Sequence, residues 1–259
     1  MEHGPLVAIG TRFRRLSAFI TLGPRPNLSD YSPQELELIL RAERIFYPTP
    51  LLAPQLAAMG KRIFPSLACH ILEGDKPAQA RLIELLGLPQ PRSRVFFGPQ
   101  RKDVLRYFSL PLIAKTPRGS AMGRGVWLVE TYKQLEEYLK NHNPAYIQEY
   151  VQFEMEVRVI VVGAEPVCAY CKRPAPGEFR ANLSRGADIL LLPPPPQALE
   201  VAVALARGGG LSETAVDIGI SPDGPMILEF SYMYGRRGPA RLGLDIVAEV
   251  AKRVLTGRA

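Results

Sequence analysis

Apolar residues recur along this chain with two periods. Over residues 32–42 (SPQELELILRA) they fall at helical spacing behind Ser32, which suits a helix N-cap, with Pro33 at the first helical position. Residues 75–86 repeat the device: Asp75 as cap, apolar residues three and four apart, and Gly87 as stop. Residues 132–140, 197–207 and 246–255 carry the same spacing and are predicted helices. Short strand-like runs occupy the rest. They are 5–10, 110–114, 126–130 and 145–151, then 156–162 with 165–171 joined at Gly163-Ala164, and 215–220 with 226–230 joined through Ser221 to Gly224. Tight hairpins interspersed with helices predict α+β layers rather than a purely parallel sheet.

Composition narrows the class. A chain of 259 residues, 47% hydrophobic and 22% charged, is globular, with one large domain or a few lobes sharing a core. Proline, at 25 residues, clusters between elements, and the run 193–196 reads as an extended connector before a helix. No stretch approaches the roughly 20 apolar residues of a membrane span. At the N-terminus the charges follow the apolar residues, the reverse of a secretory signal. Three cysteines cannot all pair, which favours a reducing compartment, so a soluble cytoplasmic protein is expected. Lys and Arg number 32 against 25 Asp and Glu, a net charge of +7. That balance suits anionic partners such as nucleotides, acidic peptides or ribosomal surfaces without choosing among them. No aromatic-plus-basic motif supports nucleic-acid binding.

Three constellations can carry chemistry. Lys115 at a strand end precedes Gly119, Ser120, Gly123, Arg124 and Gly125. Such a loop lets backbone N–H groups close on phosphate oxygens, or is simply a hairpin tip. The spacing of neither the Walker loop nor the dinucleotide fingerprint is present. Asp217 and Glu229 lie on neighbouring hairpin strands among apolar residues, where two carboxylates suit a hard cation such as Mg²⁺, unless both face outward. Glu156 and Arg158 share one strand face; with Arg180 and Asn182 they form either a surface ion-pair set or a phosphate contact. Cys168 and Cys171, three apart on a strand, face opposite sides and read as apolar strand residues rather than a zinc site.

The order of these pieces resembles an ATP-grasp ligase of the RimK-like branch, over residues 74–255. The run FRANLSRGA (179–187) is the most specific element. The resemblance implies an ATP-grasp fold: an N-terminal α/β region over 1–73, and an ATP-grasp domain over 74–259 with 111–151 as its small lid lobe. It implies that Lys76 and Lys115 contact ATP and that the loop 120–125, with Ser120, Gly123 and Gly125, folds over the phosphates. Gln148, Glu149, Tyr150 and Val151 would form the adenine hinge, and Glu156 would hold the ribose. Arg158 and Arg180 would brace the transferred phosphoryl group, with Asn182 nearby. Asp217, Glu229 and Ser231 would ligate two ions of Mg²⁺ or Mn²⁺.

The activity implied is ATP-dependent joining of a carboxylate to an amine (an amino acid or a peptide tail) through an acyl phosphate, with glutamate addition the favoured subclass. A homo-oligomer is implied by analogy with the family. The chain departs from the family at Ser231, where the pattern has asparagine, and at Tyr232 and Tyr234 on the wall where an amine approaches. Serine is the weaker oxygen ligand, so the alternative is a nucleotide-binding or regulatory protein with impaired turnover.

Overall fold

The computed structural model describes residues 5–120 and 124–259, and these form three sheets. The first is made of four very short parallel strands, β1 (Val7–Ala8), β2 (Ile20–Thr21), β3 (Arg44–Phe46) and β4 (Arg62–Phe64), in the order β2-β1-β3-β4. Parallel neighbours need crossovers. Helices α1 (Pro33–Arg41) and α2 (Ala53–Ala58) supply two, and α3 (Leu67–Leu72) follows. Helix α1 starts as its sequence predicts: Ser32 accepts the Glu35 N–H, and the Glu35 carboxylate accepts the Ser32 N–H at 2.8 Å. Only β1 was foreseen here, because strands of two or three residues are too short to show an alternation.

Helix α4 (Lys76–Leu85) follows, capped by Asp75, whose carboxylate accepts the Ala78 N–H at 3.0 Å. Next comes β5 (Ser93–Phe96), then α5 (Val104–Tyr107), β6 (Leu112–Lys115), β7 (Val126–Val129), α6 (Tyr132–Asn141) and β8 (Ala145–Glu149). Their strands make an antiparallel sheet ordered β5-β8-β6-β7, with Leu135 and Tyr138 of α6 buried against it. This small sheet reaches upstream of residue 111, where the sequence had placed the start of the lobe. The outer strand β5 has four residues, too few to show a period.

The third sheet is the largest. It contains β9 (Met155–Val162), β10 (Glu165–Arg173), β11 (Asp188–Leu190), β12 (Glu213–Ser221) and β13 (Gly224–Ser231), antiparallel in the order β11-β10-β9-β12-β13. Strand alternation gives it two buried faces. Val157, Val159, Val161, Cys171 and Val216 share a core with Ala198, Ala202 and Leu205 of α7 (Pro196–Gly208). Ile160, Val162, Cys168, Tyr170 and Ala215 pack with Phe13, Phe46, Tyr47 and Phe64 of the N-terminal region and with α9 (Ile246–Leu255). Cys168 and Cys171 therefore sit in different cores, both buried and unpaired. A short helix, α8 (Arg237–Arg241), lies between β13 and α9. Apolar at one end, the Ile160–Val162 face carries Glu156 and Arg158 at the other, and the chemistry gathers there.

Candidate active site

Four neighbouring strands align one charged row. Tyr170 pairs across with Arg158, Arg158 with Asp217, and Asp217 with Glu229. A second row places Lys172 opposite Glu156. Directly opposed side chains lie about 5 Å apart, so antiparallel pairing alone assembles the cluster. The register of β12 on β13 shifts immediately after Asp217, a bulge of the kind that re-aims side chains beside sites.

The cluster is a network of buried charges. The Arg158 guanidinium grips Asp217 with two hydrogen bonds, 2.9 and 2.5 Å, and Lys172 reaches the same carboxylate at 2.8 Å and Glu156 at 3.2 Å. Burial works against the charge of Asp217, yet the two cations hold its carboxyl well below the usual range. Burial raises the Glu156 carboxyl and is only partly offset by Lys172. For Lys172 itself burial is outweighed by Asp217 and Glu156, and its proton is held more tightly than in water. Two acids and two bases balance, as buried ions must.

Two cavities open on this network. The first, about 360 Å³, lies between the small sheet and the large one. Lys76, Lys115, Ser120, Gln148, Glu149, Tyr150, Val151, Glu156, Arg180, Asn182, Asp217 and Glu229 all line it, so the structure brings most of the expected nucleotide residues to one cleft. Lys76 is tethered, donating to Ser120 Oγ at 2.9 Å. Lys115 is buried (7% exposed), and its ammonium makes no hydrogen bond or ion pair to a described residue. Burial lowers its pKa to about 8. The N–H of Glu149 is already bonded to the Arg92 carbonyl at 2.9 Å, and its carboxylate is paired with the Arg92 side chain.

Arg180 is drawn onto Glu178, which accepts from it with both oxygens and is held near pKa 2 by that contact. Gly125 is placed differently from the rest. It lies outside the cleft lining with φ +69°, and a Cβ there would meet Thr116 Oγ1 at 2.4 Å, so it closes the base of the β6–β7 hairpin. Gly123 falls outside the described residues.

The second cavity, about 560 Å³, shares Lys76, Ser120, Asn182, Asp217 and Glu229 with the first and continues along Arg158, Tyr170, Lys172, Ser184 and the segment after β13. Arg236 and Arg237 also line it, and their guanidinium groups have no hydrogen-bond or ion-pair partner among the described residues. The shared residues mark where a group held in one cavity meets a group held in the other.

The donor set fits Mg²⁺ in one form only. The Glu229 carboxylate makes no hydrogen bond or ion pair to a described residue and faces both cavities beside Asp217. Among the described residues no group of three or more His, Cys, Asp or Glu gathers to cage a metal. Ser231 is engaged elsewhere, its hydroxyl donating to Glu73 at 2.7 Å and accepting the Met233 N–H at 3.0 Å. Such a site suits a cation held by one or two carboxylates together with phosphate oxygens.

Sequence reasoning missed Lys172, Glu178, Glu73, Arg236 and Arg237. Lys172 had a signal: extending the 165–171 strand by one residue puts a lysine on the face of Tyr170 and opposite Glu156.

Comparison with known proteins converges on one family. Residues 75–254 match the RimK-like ATP-grasp domain. A probable alpha-L-glutamate ligase 2 of Pseudoalteromonas atlantica is 30% identical over 191 residues, 70% of this chain and 63% of that protein. A probable alpha-L-glutamate ligase of Pseudomonas paraeruginosa is 36% identical over 182 residues, 66% of this chain and 60% of that one. The chain thus spans about six-tenths of the length of these relatives. Among solved structures, the ATP-grasp ligase PsnB superposes with TM-score 0.73 at 19% identity over the whole of both chains. The D-alanine–D-alanine ligase of Bacillus anthracis gives 0.71 at 13% identity over 98% of both. At such identities these two structures speak for the fold.

Proposed function

Because this chain belongs to the RimK-like ATP-grasp family, we propose that it is an ATP- and Mg²⁺-dependent carboxylate–amine ligase, with ATP in the first cavity and the acid and amine in the second. The observation that carries this reading is Lys115, a buried ammonium without a described partner in a cleft of nucleotide size. A buried cation demands an anion, and a phosphate chain supplies one.

The reaction follows from the placement. The acid's carboxylate oxygen attacks the γ-phosphorus of ATP and ADP leaves. The amine nitrogen then attacks the acyl carbon, phosphate departs and the nitrogen loses a proton. Lys76 and Lys115 neutralise the phosphates from the first cavity. Arg158 and Lys172, on the wall of the second, offset charge where the cavities meet. Asp217 and Glu229 would hold Mg²⁺, which when bound withdraws charge from the phosphate oxygens. Arg180 would brace the phosphoryl group after exchanging Glu178 for it, and Glu156 would face the ribose.

Glutamate as one substrate is supported by the names of the relatives and by the uncommitted Arg236 and Arg237, which suit an additional carboxylate. One observation favours nucleotide binding without turnover: the hydroxyl of Ser231 is committed to Glu73.

The deciding experiment is ADP release from Mg²⁺–ATP across amino acids, dipeptides and a ribosomal protein fraction, with Lys115→Ala and Glu229→Gln as controls. Substrate-dependent release lost in both variants supports the ligase. ATP binding with no stimulated release by any of the panel favours the binding-only reading, and absence of ATP binding overturns both.

A further inference from the structure

The segment 231–235 leaves the end of β13 and forms a wall of the second cavity through Ser231, Met233, Tyr234 and Gly235. It belongs to no helix or strand beyond Ser231, so something else must hold it. The holders come from the N-terminal region. The carboxylate of Glu73 accepts the Ser231 hydroxyl at 2.7 Å and the Tyr232 N–H at 3.0 Å. From the other side, Arg12 donates to the Tyr232 carbonyl at 3.1 Å, so the backbone of Tyr232 is gripped on both sides of its Cα. The same Arg12 nitrogen pairs with Glu213 at 3.1 Å, and its guanidinium lies over the Tyr234 ring, 4.5 Å from the centroid.

Glu213 is wholly buried and accepts the hydroxyls of both Tyr234 and Tyr47 at 2.6 Å. Tyr232 OH also meets His70 Nδ1 at 3.0 Å. Arg12, Tyr47, His70 and Glu73 all precede residue 74. None lines either cavity except Glu73, which sits at the rim of the second.

We propose that Arg12 and Glu73 are positioning residues that fix segment 231–235 as the wall of the second cavity, so that the N-terminal region sets which acid or amine the cavity accepts. The assignment rests on the reading of that cavity as the acid and amine site. Arg12 acts through Tyr232, Tyr234 and Glu213, and Glu73 through Ser231 and Tyr232. Neither reaches the ATP cleft, so a lost anchor loosens the wall and leaves nucleotide binding alone. An ATP-grasp core with a different N-terminal region would present the same phosphate machinery behind a different wall.

The test uses the full chain and three readouts: hydrogen exchange of residues 231–235, Mg²⁺–ADP affinity by calorimetry, and KM against kcat for the acid and amine identified by ADP release. Arg12→Met removes the anchor but strands the buried Glu213 charge. The charge-balanced Arg12→Met/Glu213→Gln double variant, in which the Gln amide can accept from one tyrosine hydroxyl and donate to the other, guards against misfolding, and Glu73→Ala cuts the other side. Expected are exchange of the segment at least tenfold faster, KM of the acid or amine raised about tenfold or more, kcat within about threefold, and unchanged Mg²⁺–ADP affinity. Arg12→Lys, which keeps the charge but not the fork, should restore exchange in part. The proposal is overturned by unchanged exchange in the double variant and Glu73→Ala, by faster exchange with unaltered KM, or by parallel loss of ADP affinity. Failure of the wild-type protein to release ADP with any acid and amine would instead overturn the ligase reading and with it the specificity role, while the exchange data still decide whether the wall is anchored from the N-terminal region.

Discussion

Lys115 holds an ammonium that burial opposes most strongly; Glu229 and Glu156 favour it, Lys76 opposes it, and its pKa is lowered to about 8. Charged lysine is the form that meets phosphate, and in the free protein that form is lost as pH rises through about 8. ATP affinity should therefore fall from pH 7 to pH 9 by about tenfold per pH unit once above the pKa. A Lys115→Met variant should bind weakly with a flat profile, and calorimetric titration at four pH values reads both. Lys172 is the opposite case, a buried cation (1% exposed) whose partners Asp217 and Glu156 raise its proton affinity. Lys172→Met leaves two carboxylates facing Arg158 alone. Breaking a buried pair from one side costs about 3 kcal/mol or more, so the melting temperature should drop by roughly 6–12 °C. A scan showing no change would mean that water or rearrangement already compensates the acids.

At the scale of elements, the sheet turns separate stretches of sequence into one site, and small residues in it have consequences for the cleft. Gly219 on β12 lies opposite Glu156, and a Cβ there would meet three atoms of the Phe153 ring at 2.5–2.6 Å. Phe153 lines the first cavity, so Gly219→Ala should push the ring toward the nucleotide and weaken ATP binding about tenfold. Phe153→Leu in the same chain should recover part of the loss, and the two titrations together check the cause. This site was legible in the sequence to the extent that its partners sit on strong local patterns. The capped helices α1 and α4, the hairpin that brings Asp217 beside Glu229, and the placement of Glu156 and Arg158 on one strand face all follow from spacing. Lys172 escaped because a charged residue ends an apparent apolar strand, whereas β10 runs on to Arg173. Strands β2 to β4 escaped because two or three residues in parallel pairing leave no period to detect. The Glu178–Arg180 pair and the grip of Glu73 on Ser231 depend on tertiary approach and have no local signature.

Taken as a whole, two of the three sheets face a cleft, and polar contacts join the small sheet to the rest across its mouth. Lys76 donates its backbone N–H to Pro117 and its Nζ to Ser120, Gly119 donates to Gly74, and Arg180 donates to the Val126 carbonyl. The Asp75–Arg118 ion pair is solvent-exposed on the arginine side, and such a pair contributes little. A ligand that touches both sheets adds a further link across the mouth. At a hundred times its dissociation constant a ligand that binds only the folded state adds about 2.7 kcal/mol. For a chain of this size that corresponds to a rise of roughly 5–10 °C in melting temperature. The rise should be larger with Mg²⁺–ATP than with ATP and EDTA, because the Glu229 carboxylate faces the phosphates with no protein cation on it, whereas Asp217 is already held by Arg158 and Lys172. Glu229→Gln should abolish that difference while sparing the metal-free shift, since Lys76 and Lys115 still meet the phosphates. A thermal scan under the four conditions decides it: an equal Mg²⁺ increment in both proteins would place the metal away from Glu229, and no shift with any nucleotide would remove ATP from the cleft altogether.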